Sequence, residues 1–290
     1  MKFEAKQIPE GINTSPDHPL KDLITLLAGI GLFLLIAMLL LFALSDYLVR
    51  FIPVEAEQEW FTEQRLDFVR SETPNTTKTS AVEAYLGQLV AQLNSKQEAP
   101  LQYTIKLIDT DMPNAFITPG GHIFVTTELL RYVNSENALA MVIAHEMAHQ
   151  VHRHPIRSMG RGIVIALALM MFTGVDGSEW VTEILTNSIN LGLLAYSREQ
   201  ERQADDTGLQ MLVSFYGHAG GSDYFFAQLQ KLDKREHSAL GQYLETHPAI
   251  HERIEFLREF DSEDQQQLQP LDPSVASLLD SITKPEPGKG

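Results

Sequence analysis

The sequence predicts an α+β protein: a mostly helical domain with a small sheet, preceded by one membrane-spanning helix. Three observations lead there. Residues 23 to 44, "LITLLAGIGLFLLIAMLLLFAL", carry no charge and lie between Asp22 and Asp46. "LQYTIKLID" alternates Tyr103, Ile105 and Leu107 against Gln102, Thr104 and Lys106, and "HIFVTT" follows the turn Pro119-Gly120-Gly121; both read as strands. Most of the remaining chain repeats its apolar residues at helical spacing.

In chain order, residues 1–22 form an N-terminal tail and 23–45 the anchor. About 22 residues at roughly 1.5 Å each cover about 33 Å, enough for a bilayer core. A cleaved signal would have an apolar stretch of only about 7–15 residues. Lys2, Lys6 and Lys21 precede the span and Arg50 follows it. The positive-inside rule then puts the body on the periplasmic side of a bacterial-type inner membrane, the cytoplasmic side being the alternative. Residues 46–75 read as a linker, with "SETPNTT" a loop. The folded domain spans 76–262. It opens with a helix whose stripe is Val82, Tyr85, Leu86, Leu89, Val90 and Leu93. The sheet follows, then "NALAMVIAHEMAHQV", which Pro155 brings to an end. "RGIVIALALMMFTG", 161–174, is apolar but too short to span readily. It is either a core helix or one that restricts access to the site and touches the bilayer surface, with Gly160, Gly162, Gly174 and Gly177 as hinges and Leu167 and Leu169 on its apolar stretch. The next region gives two helical stretches, the second starting near Gly192, and "GSDYFFAQLQKLDKRE" gives another helix. The Gln- and Pro-rich segment 263–290 reads as a disordered tail.

Composition narrows the partners. The net charge of −16 excludes a nucleic-acid ligand, since it could not neutralise a row of phosphates. The chain has no cysteine, so disulfides, thiolate metal sites and thiol nucleophiles are excluded. Neither property sets the oligomeric state.

"MVIAHEMAHQ" raises a question of chemistry. His145 and His149 are four residues apart and lie on one helix face, where two imidazoles can meet one ion. Glu146 lies one step round, beside that ion, placed to take a proton from a metal-bound water. This is the HExxH arrangement of zinc peptidases. Chance produces it in roughly one chain in a hundred of this length. The apolar flanks add weight, because unpartnered polar groups in an interior cost several kcal/mol. A third ligand is required. In "SREQERQADD", Glu201 and Asp205 are again four apart. Glu201 can ligate, and Asp205 can accept from the far nitrogen of a ligating histidine. Glu199 is the rival ligand, on a different face from Asp205. His152 and His154 read as exposed histidines at a helix end.

The motifs "NAFITPGGHIFV", "HEMAH", "SREQERQAD" and "THPAIHERI", in that order, resemble the HtpX- and BepA-like zinc metallopeptidases, which are related to the CAAX prenyl endopeptidases. The resemblance covers about residues 75 to 260. It implies a gluzincin endopeptidase fold with one zinc ion per chain and Glu201 as the third ligand, with Asp205 behind the ligands. It implies that His247 polarises the substrate carbonyl or occupies the open metal position, and that Arg253 supports the same region. It makes "HIFV" the edge strand above the metal helix, approached past Asn114 and Ala115, along which a substrate peptide would lie. It points to misfolded or unassembled envelope proteins as substrates. Two departures stand out: there is one span where HtpX-like members have several, and a short tail where BepA-like members carry helical repeats. The first weakens a prenyl-protein substrate. A zinc-stabilised, non-cleaving, chaperone-like membrane protein is the alternative, but such a protein would need no base at Glu146.

Overall fold

The computed structural model describes residues 19–61, 76–173, 196–233, 247–248, 250–260 and 267–282. The chain divides into two units, Met1–Leu44 and Ser45–Gly290. The first holds most of helix α1 (Pro19–Leu48). Its mean hydropathy of 2.9 and its length are sufficient to cross a membrane. Its large apolar side chains, Phe33 and Leu40 among them, are exposed, as suits a lipid-facing helix and not a core helix.

In the second unit the expected linker is folded through Phe61. Helix α2 (Val54–Trp60) follows a single 3-10 turn at Val49–Phe51. Val49, Ile52 and Phe61 pack with Ile156 and Met159 into a small apolar cluster. Glu57 of α2 is fully buried. The remaining expected linker, 62–75, lies outside the described residues.

Helix α3 (Thr77–Asn94) starts where the Thr76 hydroxyl accepts from the Thr79 N–H at 3.2 Å. The expected stripe is buried at Val82, Leu86, Leu89, Val90 and Leu93, with Tyr85 packed at its margin. The sheet has strands β1 (Thr104–Ile108), β2 (Ala115–Thr118) and β3 (His122–Thr126) in the order β1-β3-β2. β1 runs parallel to β3, pairing Ile105 with Ile123, and β2 antiparallel, pairing Phe116 with Phe124. "HIFV" is therefore the central strand, not the edge. Paired on both sides, it cannot accept a further strand. The β2–β3 turn depends on Gly121, whose φ is +85° and where a Cβ would stand 2.4 Å from the Gln102 carbonyl oxygen.

Helix α4 (Glu136–Val151) is capped by Ser135, whose hydroxyl accepts from the Ala138 N–H at 3.2 Å. Every residue from Asn137 to Gln150 is buried, so this helix runs through the middle of the domain. Helix α5 (His154–Thr173) begins earlier than the sequence suggests. Pro155 starts it instead of only ending α4, because a missing N–H costs nothing in a first helical turn. Of the expected hinges Gly174 and Gly177 lie outside the described residues, as do the side chains of Leu167 and Leu169. Helix α6 (Arg198–Tyr216) begins at a capping box between Ser197 and Gln200, and not near Gly192, which is also outside the described residues. Helices α7 (Tyr224–Asp233) and α8 (Ile250–Phe260) close the core with Phe225, Phe226, Leu229, Ile254 and Leu257.

The tail differs from expectation. Residues 267–282 are ordered around helix α9 (Pro273–Ser281), with Asp272 capping its start and Val275 and Leu278 in the core. Gln269 accepts from the Glu136 N–H at 2.9 Å, and its own N–H donates to Asn137 at 2.8 Å. The tail thus satisfies one backbone donor at the start of α4, the Glu136 N–H. Composition favoured disorder, but two buried apolar residues and a capped turn outweigh it.

Candidate active site

Helix α4 carries His145, Glu146 and His149, each at most 1% exposed. Facing them across a close crossing is α6, with Glu201 and Asp205, also 1% exposed. The crossing is close because of Gly208. A Cβ there would sit 3.0 Å from the His145 nitrogen and 3.2 Å from the Ala144 carbonyl carbon, backbone atoms that cannot step aside. Gly208→Ala is expected to cost about 1–3 kcal/mol and to weaken metal binding, because it pushes Glu201 away from the histidines. Melting curves and zinc titration check this; unchanged values for both would refute the argument from close approach.

The donors converge. One ligand atom from each of His145, His149, Glu201 and His247 lies within 4.8 Å of all the others. The Nε2 atoms of His145 and His149 are 3.0 Å apart and lie 3.5 and 3.4 Å from the Glu201 carboxylate. His247 Nδ1 is 3.1 Å from Glu201 Oε1, and its Nε2 is 3.7 Å from Glu146 Oε1. Glu199, the rival ligand, is exposed and bonded to Gln203 at 3.1 Å. The face carrying Asp205 is the one turned inward.

Behind the donors lies an ionic layer. His145 Nδ1 meets Asp205 Oδ1 at 2.9 Å. Arg253 from α8 holds Asp205 with two bonds of 2.8 Å and reaches Glu201 Oε2 at 2.8 Å. Its guanidinium also lies 4.3 Å over the Phe226 ring. The structure therefore brings all seven residues singled out in the sequence into one cluster.

Electrostatics divide their roles. Burial works against charge on Glu201, but His247 and Arg253, with bonds from the α4 histidines, hold its pKa well below the carboxylate range. Asp205 is likewise lowered against burial, chiefly by Arg253 and then His145. For His145, burial and Arg253 oppose protonation, yet Asp205 and Glu201 outweigh them and raise its pKa. Burial pushes the His149 pKa well down, which leaves a neutral imidazole with a lone pair. Burial pushes the Glu146 carboxyl up to about 8, with neighbouring charges partly offsetting one another. Among the described residues, no side chain hydrogen-bonds to either Glu146 oxygen. Two imidazoles and a carboxylate at these separations suit a zinc-like cation, which would compensate the buried acceptors.

Three residues near the site are not evident in the sequence. Tyr196 stacks on the His149 ring with centroids 3.9 Å apart, and burial, then Glu146 and Glu201, raise its pKa. Gly208 had one visible signal, a glycine inside a helical pattern. His154 is fully buried, not an exposed helix-end residue, because the chain folds back at Arg153, whose φ is +57°. His152 is half-buried and bonded to Thr207 at 2.8 Å. Asn114 is buried next to β2, its N–H donating to Thr126 at 2.8 Å, and Ala115 opens that strand.

Comparison with known proteins agrees with this geometry. Residues 77–261 match the family described as Peptidase family M48. The mitochondrial metalloendopeptidase OMA1 of Schizosaccharomyces pombe is 29% identical over 161 residues, 55% of this chain and 47% of that protein. The OMA1 metalloendopeptidase of Bos taurus is 26% identical over 218 residues, 70% of this chain and 40% of that protein. The beta-barrel assembly-enhancing protease of Yersinia pestis is 30% identical over 135 residues, 43% of this chain and 27% of that protein. The matched region spans less than half the length of each relative. With the family match covering the whole region that builds the donor cluster, this chain belongs to Peptidase family M48.

Proposed function

We propose that this protein is a membrane-anchored zinc endopeptidase that hydrolyses misfolded or unassembled proteins. The observation that carries the reading is the buried meeting of His145, His149, Glu201 and His247 beside the carboxyl of Glu146. His145, His149 and Glu201 would hold the ion. When bound, zinc supplies Lewis-acid polarisation of a carbonyl and lowers the pKa of a water. Glu146 takes the proton of the attacking water and returns it to the leaving amine, a task suited to a carboxyl whose pKa burial raises to about 8. His247, with Nε2 turned towards Glu146, donates to the oxyanion that develops on the substrate. Asp205 fixes the His145 tautomer, and Arg253 keeps Asp205 and Glu201 in place.

Substrate has a place to lie. β2 pairs with β3 on one side, and among the described residues no strand pairs with its other side. β2 packs directly against α4, the helix that carries Glu146. An extended peptide adding to β2 by main-chain bonds would bring its carbonyls to that carboxyl. The name of the Yersinia relative, a beta-barrel assembly-enhancing protease, supports substrates that are proteins in the course of assembly. Helix α1 supports membrane attachment, with the domain on the periplasmic side by the lysine count before it.

The full chain in detergent should contain zinc by elemental analysis and cleave unfolded casein. Chelation should abolish cleavage and added zinc should restore it. Cleavage that survives complete removal of metal would overturn the mechanism.

A further inference from the structure

We propose that His154 is a positioning residue for His149, and that Gln203 and Glu199 set the direction of the hydrogen bonds running through it. The inference rests on the metal centre proposed above. It gives a part to His154, which lies outside the four sequence motifs, and to Glu199 and Gln203 within one of them.

The direction follows from which atoms can donate. At the outer end Glu199 Oε1, a carboxylate oxygen, only accepts, and Gln203 Nε2 lies 3.1 Å away. The Gln203 amide group therefore faces Glu199 and its oxygen faces inward. That oxygen lies 3.3 Å from His154 Nε2 and only accepts, so His154 carries its proton on Nε2. His154 is fully buried against His149, Gln203 and His152, and burial outweighs the pull of Glu201. A buried imidazole in such surroundings is neutral, which leaves its Nδ1 as an acceptor. His149 Nδ1 lies 2.9 Å from that acceptor and so must carry the proton of its own ring. The His149 Nε2 lone pair is then free, and it points to the 3.0 Å gap before His145 Nε2.

The two ligand histidines are thus oriented by different means. His145 leans on the Asp205 carboxylate at 2.9 Å. His149 leans on a neutral imidazole backed by an amide, which fixes its tautomer without adding another negative charge beside Glu201. Stacking with Tyr196 holds the ring plane but selects no tautomer.

The experiment measures apparent zinc affinity by chelator competition on the full chain in detergent, with the melting temperature of the metal-free form as a control for folding. His154→Leu should weaken zinc binding by about 10–100-fold. His154→Asn, whose amide oxygen can replace the Nδ1 acceptor, should recover most of that loss. Gln203 gives a test of direction that leaves His154 in place, should His154→Leu fail to fold. Gln203→Glu keeps an acceptor and should bind zinc as the wild type does. Gln203→Lys offers only donors and would reverse both imidazoles, turning an N–H of His149 towards the metal; its affinity should fall by about 10–100-fold. Equal affinities for Gln203→Glu and Gln203→Lys, or wild-type affinity in a folded His154→Leu, would overturn the proposal. A wild-type protein that binds no zinc would overturn the metal centre, and this inference with it.

Discussion

Glu146→Gln is expected to abolish nearly all hydrolysis while leaving the metal bound. The expected loss in kcat is about 10³-fold, the scale of a removed general base. Stability should change little, for a physical reason. Burial already drives the Glu146 carboxyl towards its neutral form, with a pKa of about 8, so the surroundings suit an uncharged amide of the same shape. Zinc content should match the wild type, because the proposed ligands His145, His149 and Glu201 are untouched. Casein cleavage and elemental analysis on the same preparation test both halves. Undiminished cleavage in the variant would exclude Glu146 as the base, and cleavage lost together with zinc would make it a ligand.

The second large effect is expected outside the donor cluster, at Glu57. This side chain is fully buried and uses both oxygens. Oε1 accepts from the Gly120 N–H at 3.0 Å and from Gln150 at 2.9 Å. Oε2 accepts from Arg153 at 2.7 and 3.2 Å. One carboxylate thereby ties the segment after the membrane helix to the β2–β3 turn and to the end of α4. Glu57→Ala would leave Arg153 without its buried partner and the Gly120 N–H without an acceptor. The expected cost is about 3–5 kcal/mol, which for a domain of this size lowers Tm by roughly 10 °C. Glu57→Gln, which keeps one acceptor, should fall between. Identical melting curves for Glu57→Ala and the wild type would show that the link carries no stability.

How much of this was legible depended on whether the signal was local. The His145–His149 pair of α4 is written within five residues, and the Glu201–Asp205 pair has the same helical spacing. The α3 stripe and the alternation in β1 are equally local, and each appears in the structure as expected. His247 and Arg253 have no local pattern; only the family resemblance placed them. Strand order was not legible, because "HIFV" and "AFIT" have similar composition and nothing local says which is central. Glu57 looked like one acid among several in "VEAEQEW". Its importance comes from Gln150 and Arg153, about a hundred positions away and brought near by folding. His154 was misread for the same reason: the turn at Arg153 folds it back under the ligand instead of out into solvent.

The four donors come from stretches of chain that are remote from one another: one turn of α4, the start of α6, and the residue at 247. A cation held by the first two of these stretches would act as a cross-link, closing a loop of about 50 residues. Losing the ion would then do more than silence the chemistry. It would return to the chain the freedom that the closed loop had removed, so that α6 could part from α4 at lower cost. Binding the ion stabilises only the assembled form, so the folded population rises with free metal. For such a protein the metal supply would govern lifetime as well as turnover: a starved copy would open, and an open copy is itself a target for proteolysis.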